Sequence, residues 1–261
     1  MLEGEGGNIG VSAGDDGVFV IDDQFAPLTA RILAAIKAVS DKPVRFLINT
    51  HWHFDHAGGN ENFGKAGVVI VAQDNVRKRL INKTPIEFFK SSYGPTPPVG
   101  LPVLTFKDSV TFHVNGDEAT VIHAPNAHTD GDSIIRFKNA NVVHMGDTYF
   151  NGLYPFIDTG TNGSVRGMIA AADRVLQITD DTSKIIPGHG PLSNKSELKA
   201  YRDMLAKVHA NVAAMIKEKK TLVQVISARP TKDYDAKWGN GFLKPDQFVE
   251  IVYTSIAGQK K

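Results

Sequence analysis

Short apolar runs alternate with amphipathic stretches along the first third of the chain. Residues 8–12 and 18–21 are β-rich runs separated by Gly14-Asp15-Asp16-Gly17, a strong hairpin turn signal. Pro27 stands where a helix opens, and Leu28, Ile32, Ala35, Ile36 and Val39 recur at helical spacing to give that helix one apolar face. Residues 44–49 read as a buried strand that delivers the chain into a histidine cluster; residues 68–71 read as another, followed by a helix over 75–81. Residues 83–102 carry five prolines (Pro85, Pro95, Pro97, Pro98, Pro102) with Phe88, Phe89 and Tyr93 among them, and predict a long irregular loop or lid.

The middle third is β-rich, with strands expected at 103–106, 109–114, 119–123, 133–137 and 142–145. The last third turns helical over 164–178, returns to a strand at 184–186, and is helical from Asn194 onward. Asn194 with Glu197, and Thr221 with Gln224, have capping-box spacing and mark two helix starts. Strand-helix and strand-strand order in one half, strands and then helices in the other, fit an α/β (α+β) chain folded as an αββα sandwich over 1–261, with the C-terminal helices from about 194 packing on it.

The 261 residues are enough to bury a large core without disulfides. Composition narrows the chemistry. With 42% hydrophobic and 22% charged residues the chain is ordinary for a globular protein, and a net charge of +1 gives no electrostatic reason to expect nucleic acid or an anionic membrane as partner. No cysteine is present, which removes disulfides, thiolate metal ligands and a cysteine nucleophile together. No apolar run approaches the roughly 18 residues of a membrane span. Met1-Leu2-Glu3-Gly4-Glu5-Gly6-Gly7 has neither the basic nor the apolar region of a signal peptide, and a strand begins almost at once after it. The compartment expected is periplasmic if a leader has been removed, and cytoplasmic otherwise.

Thr50-His51-Trp52-His53-Phe54-Asp55-His56-Ala57-Gly58-Gly59-Asn60 follows the strand at 44–49. Three imidazoles and a carboxylate within six residues are nitrogen and oxygen ligands of the kind zinc prefers. Alternation puts His51 and His53 on one side of an extended chain, while Asp55 and His56 follow a bend and face a second ion. Four ligands on one loop do not close two sites. His128, Asp147 and His189 each lie on a loop that leaves a predicted strand, where a sheet can aim them together.

The pattern His-x-His-x-Asp-His, then His, then Gly-Asp, then Gly-His-Gly resembles the metallo-β-lactamase superfamily from Asn8 to about Pro191. The resemblance implies the αββα sandwich and two zinc ions: His51, His53 and His128 on the first, Asp55, His56 and His189 on the second, with Asp147 bridging or near both. Zinc lowers the pKa of bound water to about 7 and so supplies a hydroxide at neutral pH. That hydroxide is expected to attack a carbonyl carbon, oriented by Asp55, with Asn126 or Tyr149 as an oxyanion donor.

The small-molecule hydrolases are favoured over two other branches. Flavodiiron oxidoreductases have glutamate at His53 and carry a flavodoxin domain for which there is no room, and near-zero charge disfavours the nucleases. Asp147 stands where the main clinical β-lactamases have cysteine, and Phe150 where their substrate-gripping lysine falls. A bridging aspartate is instead the arrangement of hydroxyacylglutathione hydrolases and acyl-homoserine lactonases. The opening Gly6-Gly7-Asn8-Ile9-Gly10-Val11-Ser12, the Asp22-Asp23-Gln24 stretch and the tail 231–238 resemble a β-lactamase-like bacterial branch. The expectation is therefore β-lactam cleavage, with its antibiotic-resistance role, ahead of thioester or lactone cleavage. A non-catalytic zinc-binding protein is the remaining class. Trp52, Phe54, Tyr149, Phe150, Tyr154 and Phe156 are read as cleft walls or core in equal measure, and His113, His123, His144 and His209 as structural.

Overall fold

In the computed structural model, which describes residues 1–258, the first turn forms where its glycines place it: β1 (Gly10–Gly14) pairs antiparallel with β2 (Gly17–Ile21). Pro27 lies in a single 3-10 turn, and α1 (Thr29–Lys37) follows it. Ile32 and Ile36 are buried, but Val39 lies past the helix end and is 65% exposed, so the apolar face is shorter than its spacing suggested. β3 (Val44–Ile48) lies parallel to β2, and two short helices, α2 (Phe54–Ala57) and α3 (Asn60–Lys65), lead to β4 (Val69–Gln73) and α4 (Asp74–Ile81).

The proline-rich segment is more regular than expected. It holds a small hairpin, β5 (Thr84–Ile86) and β6 (Ser91–Tyr93), turned through Glu87–Phe89. β7 (Leu104–Phe106) then completes a five-stranded sheet of order β1-β2-β3-β4-β7. β8 (Ser109–Val114), β9 (Asp117–His123), β10 (Ser133–Phe137), β11 (Val142–His144) and β12 (Lys184–Ile186) form the second, ordered β12-β11-β10-β9-β8. Its one parallel pair, β11 with β12, needs a crossover, which α5 (Val165–Ile178) supplies. α6 (Lys195–Lys217), α7 (Leu222–Ser227), α8 (Asp235–Trp238) and α9 (Pro245–Gly258) finish the chain.

Strand alternation sorts the apolar residues into three layers. Ile21, Ile48, Val71 and Ile135 meet between the sheets. Val20, Leu47 and Ile70, one residue out of phase, face Ile32 and Ile36 of α1. On the far side Ile134, Val143 and Ile185 pack against Val175 of α5 and Leu205 of α6. The αββα sandwich is thus the observed architecture.

Thr221 and Gln224 form a full capping box, whereas the Asn194 pair does not. Asn194 accepts the Glu197 amide, but the Glu197 carboxylate is taken by Ser193 Oγ at 2.8 Å and Asn151 Nδ2 at 3.3 Å.

Candidate metal centre

β3, β9, β11 and β12 all end at one edge of the sandwich, and the loops that leave them carry the seven expected ligands. Across that edge the Ser133 amide donates to the Thr50 carbonyl at 2.8 Å and joins the two sheets. Three overlapping groups result: His51, His53 and His128; His51, His56 and Asp147; Asp55, His56 and His189. Within each, the ligand atoms lie within 4.8 Å of one another.

Asp147 occupies the middle. Its Oδ1 lies 3.0 Å from His56 Nε2 and 3.4 Å from His189 Nε2, and its Oδ2 lies 3.5 Å from His128 Nε2 and 3.9 Å from His51 Nε2. One carboxylate oxygen thus serves each half of a dinuclear, Asp147-bridged centre.

Four of the five imidazoles are aimed from behind. The Phe156 carbonyl can only accept, so His128 carries its proton on Nδ1, 2.8 Å away. His56 Nδ1 donates to Asp22 Oδ2 at 2.7 Å, and His53 Nε2 to Asp158 Oδ2 at 3.2 Å. His51 Nδ1 donates to Thr50 Oγ1 at 3.0 Å, and that hydroxyl passes its own proton to Asp22 Oδ2 at 2.7 Å.

With those protons placed, the inward nitrogens of these four rings present lone pairs. His53 Nδ1 and His128 Nε2 face each other at 2.8 Å, and His56 Nε2 faces Asp147 Oδ1 at 3.0 Å. The buried atoms His51 Nε2 and Asp147 Oδ1 have no hydrogen-bond donor. Facing acceptors repel unless a cation lies between them, and a nitrogen/oxygen set of this kind fits divalent metal.

When no ion is bound, protons are drawn to the same place. Burial disfavours charge on His189, but the Asp147 and Asp55 carboxylates outweigh it and raise the imidazole to about 9. His56 is raised by the same two acids against its burial, while burial pushes His128 down to about 4 and His51 well below its ordinary value. Asp55 is half-buried, which pushes it up, yet His56 and His189 hold it down at about 2.

Two glycines make room for this packing. A β-carbon at Gly7 would overlap the His56 ring, and one at Gly188 would overlap the Asp147 carboxylate.

A cleft of about 350 Å³ opens on the centre. Its walls are Phe25, Phe54, Phe89, Phe150, Phe156 and Phe242 with Ile86, and its lining groups that titrate are Glu5, Asp55, Asp147, His53 and His189. No Lys or Arg lines it among the described residues.

Of the six aromatics expected at the cleft, Phe54, Phe150 and Phe156 are there. Trp52, Tyr149 and Tyr154 are instead wholly buried in the core. The Tyr149 hydroxyl pairs with Ser193 Oγ at 2.7 Å, and Tyr154 stacks on Phe248 with its hydroxyl 3.0 Å from Asp235 Oδ1. Asn126 is exposed in a left-handed turn, φ 51°, where its carbonyl accepts Ser164 Oγ at the start of α5. Neither Asn126 nor Tyr149 lines the cleft, so the structure does not place an oxyanion donor at either.

His144 is held by the Asn8 carbonyl and the Gly146 amide, and His123 by the Asp130 carbonyl. His113 is exposed on β8, and His209 is half-buried on α6. Sequence reasoning missed Asp22 and Asp158 behind the ligands, and Phe25 and Phe242 at the cleft.

A family model described as the metallo-beta-lactamase superfamily matches residues 2–189. Among curated proteins the chain is similar to a linear primary-alkylsulfatase of Pseudomonas sp., at 23% identity over 91% of this chain and 48% of that one. It is also similar to the acyl-coenzyme A thioesterase MBLAC2 of Gallus gallus, at 23% identity over 61% of each. The chain thus spans about half the length of the curated relatives it matches, 48% of the first and 61% of the second. Among solved structures it superimposes on the sec-alkylsulfatase Pisa1 from Pseudomonas sp. with a TM-score of 0.71 and 18% identity, covering 95% of this chain and 47% of that one. At that identity the likeness speaks for the fold alone.

Proposed function

Since the chain belongs to the metallo-β-lactamase superfamily, we propose that it is a dinuclear zinc hydrolase of carboxylic esters in the broad sense, thioesters and lactones included. The observation that carries this reading is the Asp147-bridged pair of ligand groups opening on a phenylalanine-walled cleft that no Lys or Arg lines among the described residues.

Two zinc ions, the first held by His51, His53 and His128 and the second by Asp55, His56 and His189, would supply Lewis acidity and a water of lowered pKa. Asp55 is the more exposed of the two ligand carboxylates in the cleft, 21% against 5% for Asp147, and is kept ionised by His56 and His189, so it can accept a hydrogen bond from the attacking water and orient it. The water oxygen adds to the carbonyl carbon and the C–O or C–S bond breaks. The alcohol or thiol departs with the proton the water gives up. Phe150 and Phe156, nearly or fully buried, keep bulk solvent from this step.

β-Lactam cleavage has less support. Such a substrate brings a carboxylate, and the wall that would meet it offers Phe150 and no cation. Alkyl sulfate hydrolysis is a second reading, favoured by one observation: the alkylsulfatase likeness runs over 91% of the chain, into its C-terminal helices. Initial rates of zinc-loaded protein, each with a chelator control, separate the three. A neutral thioester or lactone is expected to give the highest chelator-sensitive kcat/KM. Faster turnover of nitrocefin or of an alkyl sulfate overturns the reading.

A further inference from the structure

Three phenylalanine pairs line the cleft at the metal centre, and two of them pair a ring against the ligands with a ring nearer the rim. Phe156 lies 5.8 Å from His53 and 5.6 Å from His128, and Phe89 of the β5–β6 turn packs on it at 4.7 Å. Phe150 stacks on His189 at 5.2 Å and 19°, and Phe242, from the loop between α8 and α9, lies 6.2 Å from it. Phe25 and Phe54 form the third pair at 5.8 Å, beside Asp55. The inner members Phe156 and Phe150 are 5% and 0% exposed, whereas Phe89, Phe242 and Phe54 are 44%, 52% and 39% exposed.

Exposed phenylalanines are costly to keep in water and mark surfaces that meet apolar matter. Here they are not scattered. Phe89 flanks the first ligand group and Phe242 the second, so the path out of the centre runs between two apolar edges. The carboxylates of Glu5, Asp55 and Asp147 line the cleft and no Lys or Arg does among the described residues, so the lining offers an anionic tail no lysine or arginine partner.

Resting on the ester-hydrolase reading, we propose that the cleft selects an uncharged, extended aliphatic acyl chain, with Phe89 and Phe242 as the specificity-determining residues at its mouth. A short acyl group reaches only Phe150 and Phe156. A longer one lies across Phe89 and Phe242 and gains apolar burial there.

Calorimetric binding of acetohydroxamic and octanohydroxamic acid to zinc-loaded protein tests this without turnover. Burial of even a few methylenes predicts at least a roughly tenfold tighter octano complex. Phe89→Ala and Phe242→Ala should each cut that advantage several-fold while their melting temperatures stay near that of the parent, since both rings are exposed. The same eight-carbon chain ending in a carboxylate should lose most of it. Equal affinity for the two hydroxamates, or an advantage that survives both substitutions or the terminal carboxylate, overturns the proposal. A chain preference in binding beside no hydrolysis of any ester, thioester or lactone sinks the catalytic reading and leaves the slot standing.

Discussion

Asp22 and His56 meet at 2.7 Å, carboxylate Oδ2 to imidazole Nδ1, with both side chains fully buried. The same carboxylate accepts the Thr50 amide and hydroxyl, each at 2.7 Å, and Thr50 in turn holds His51. Asp22 therefore orients one ligand from each half of the centre.

Asp22→Asn tests that relationship without a change of shape. Asp22 has φ 63°, a conformation asparagine tolerates well. Three donors converge on this carboxylate, and an amide replaces one acceptor with a donor. Loss of an outer partner of this kind lowers metal affinity about 10–100-fold. Competition against a chromophoric chelator should show weakening at both ions; unchanged affinity would make Asp22 a spectator.

Asp147→Ala addresses the bridge. Oδ1 and Oδ2 face different ligand groups, so its loss should leave two groups unable to share charge. Metal analysis of dialysed protein should fall from two ions per chain towards one, with hydrolysis lost. Two ions retained at full affinity would show that each half closes without the carboxylate.

Gly188→Ala is a steric test of the same residue. The added carbon would run into Asp147 Oδ1 and the backbone at Gly146, which cannot yield cheaply. Misplacement by about an ångström at a reacting centre costs on the order of 100-fold in rate. Gly67→Ala is the comparison: φ is 81° and nothing lies within 4 Å, so it should cost only stability. Equal activity in the two variants would contradict the close approach.

The ligands were legible because each rides a local string at a strand end, and the sandwich because the order of strands and helices suited it and the motif resemblance implied it. What stood behind them was not. Asp22 meets His56 across 34 residues and Asp158 meets His53 across 105, and an aspartate in a loop announces neither. The aromatics failed for another reason. Tyr149 and Phe150 are neighbours in sequence, yet one is tied to Ser193 and the other stacks on His189. Only tertiary packing separates core from cleft. The turn at Glu87–Phe89, inside a segment read as irregular, and the α8–α9 loop bring Phe89 and Phe242 to the site from outside every motif.

The pH dependence of stability should change sign with metal. His189, 22% exposed, has its pKa raised from 6.5 to about 9, so its contribution to chelator-treated protein is fully present below 6.5 and lost as pH rises through 9. That contribution is on the order of 3 kcal/mol. Bound zinc needs the imidazole neutral, so in loaded protein the same rise in pH favours the folded, ligated state. Melting curves of parent and His189→Ala, with zinc and with chelator, isolate the residue from other titrating groups. The parent-minus-variant difference should shrink between pH 6.5 and 9 under chelator and grow with zinc. A difference that is flat, or that grows under chelator, would mean the Asp147 and Asp55 carboxylates do not hold the His189 proton.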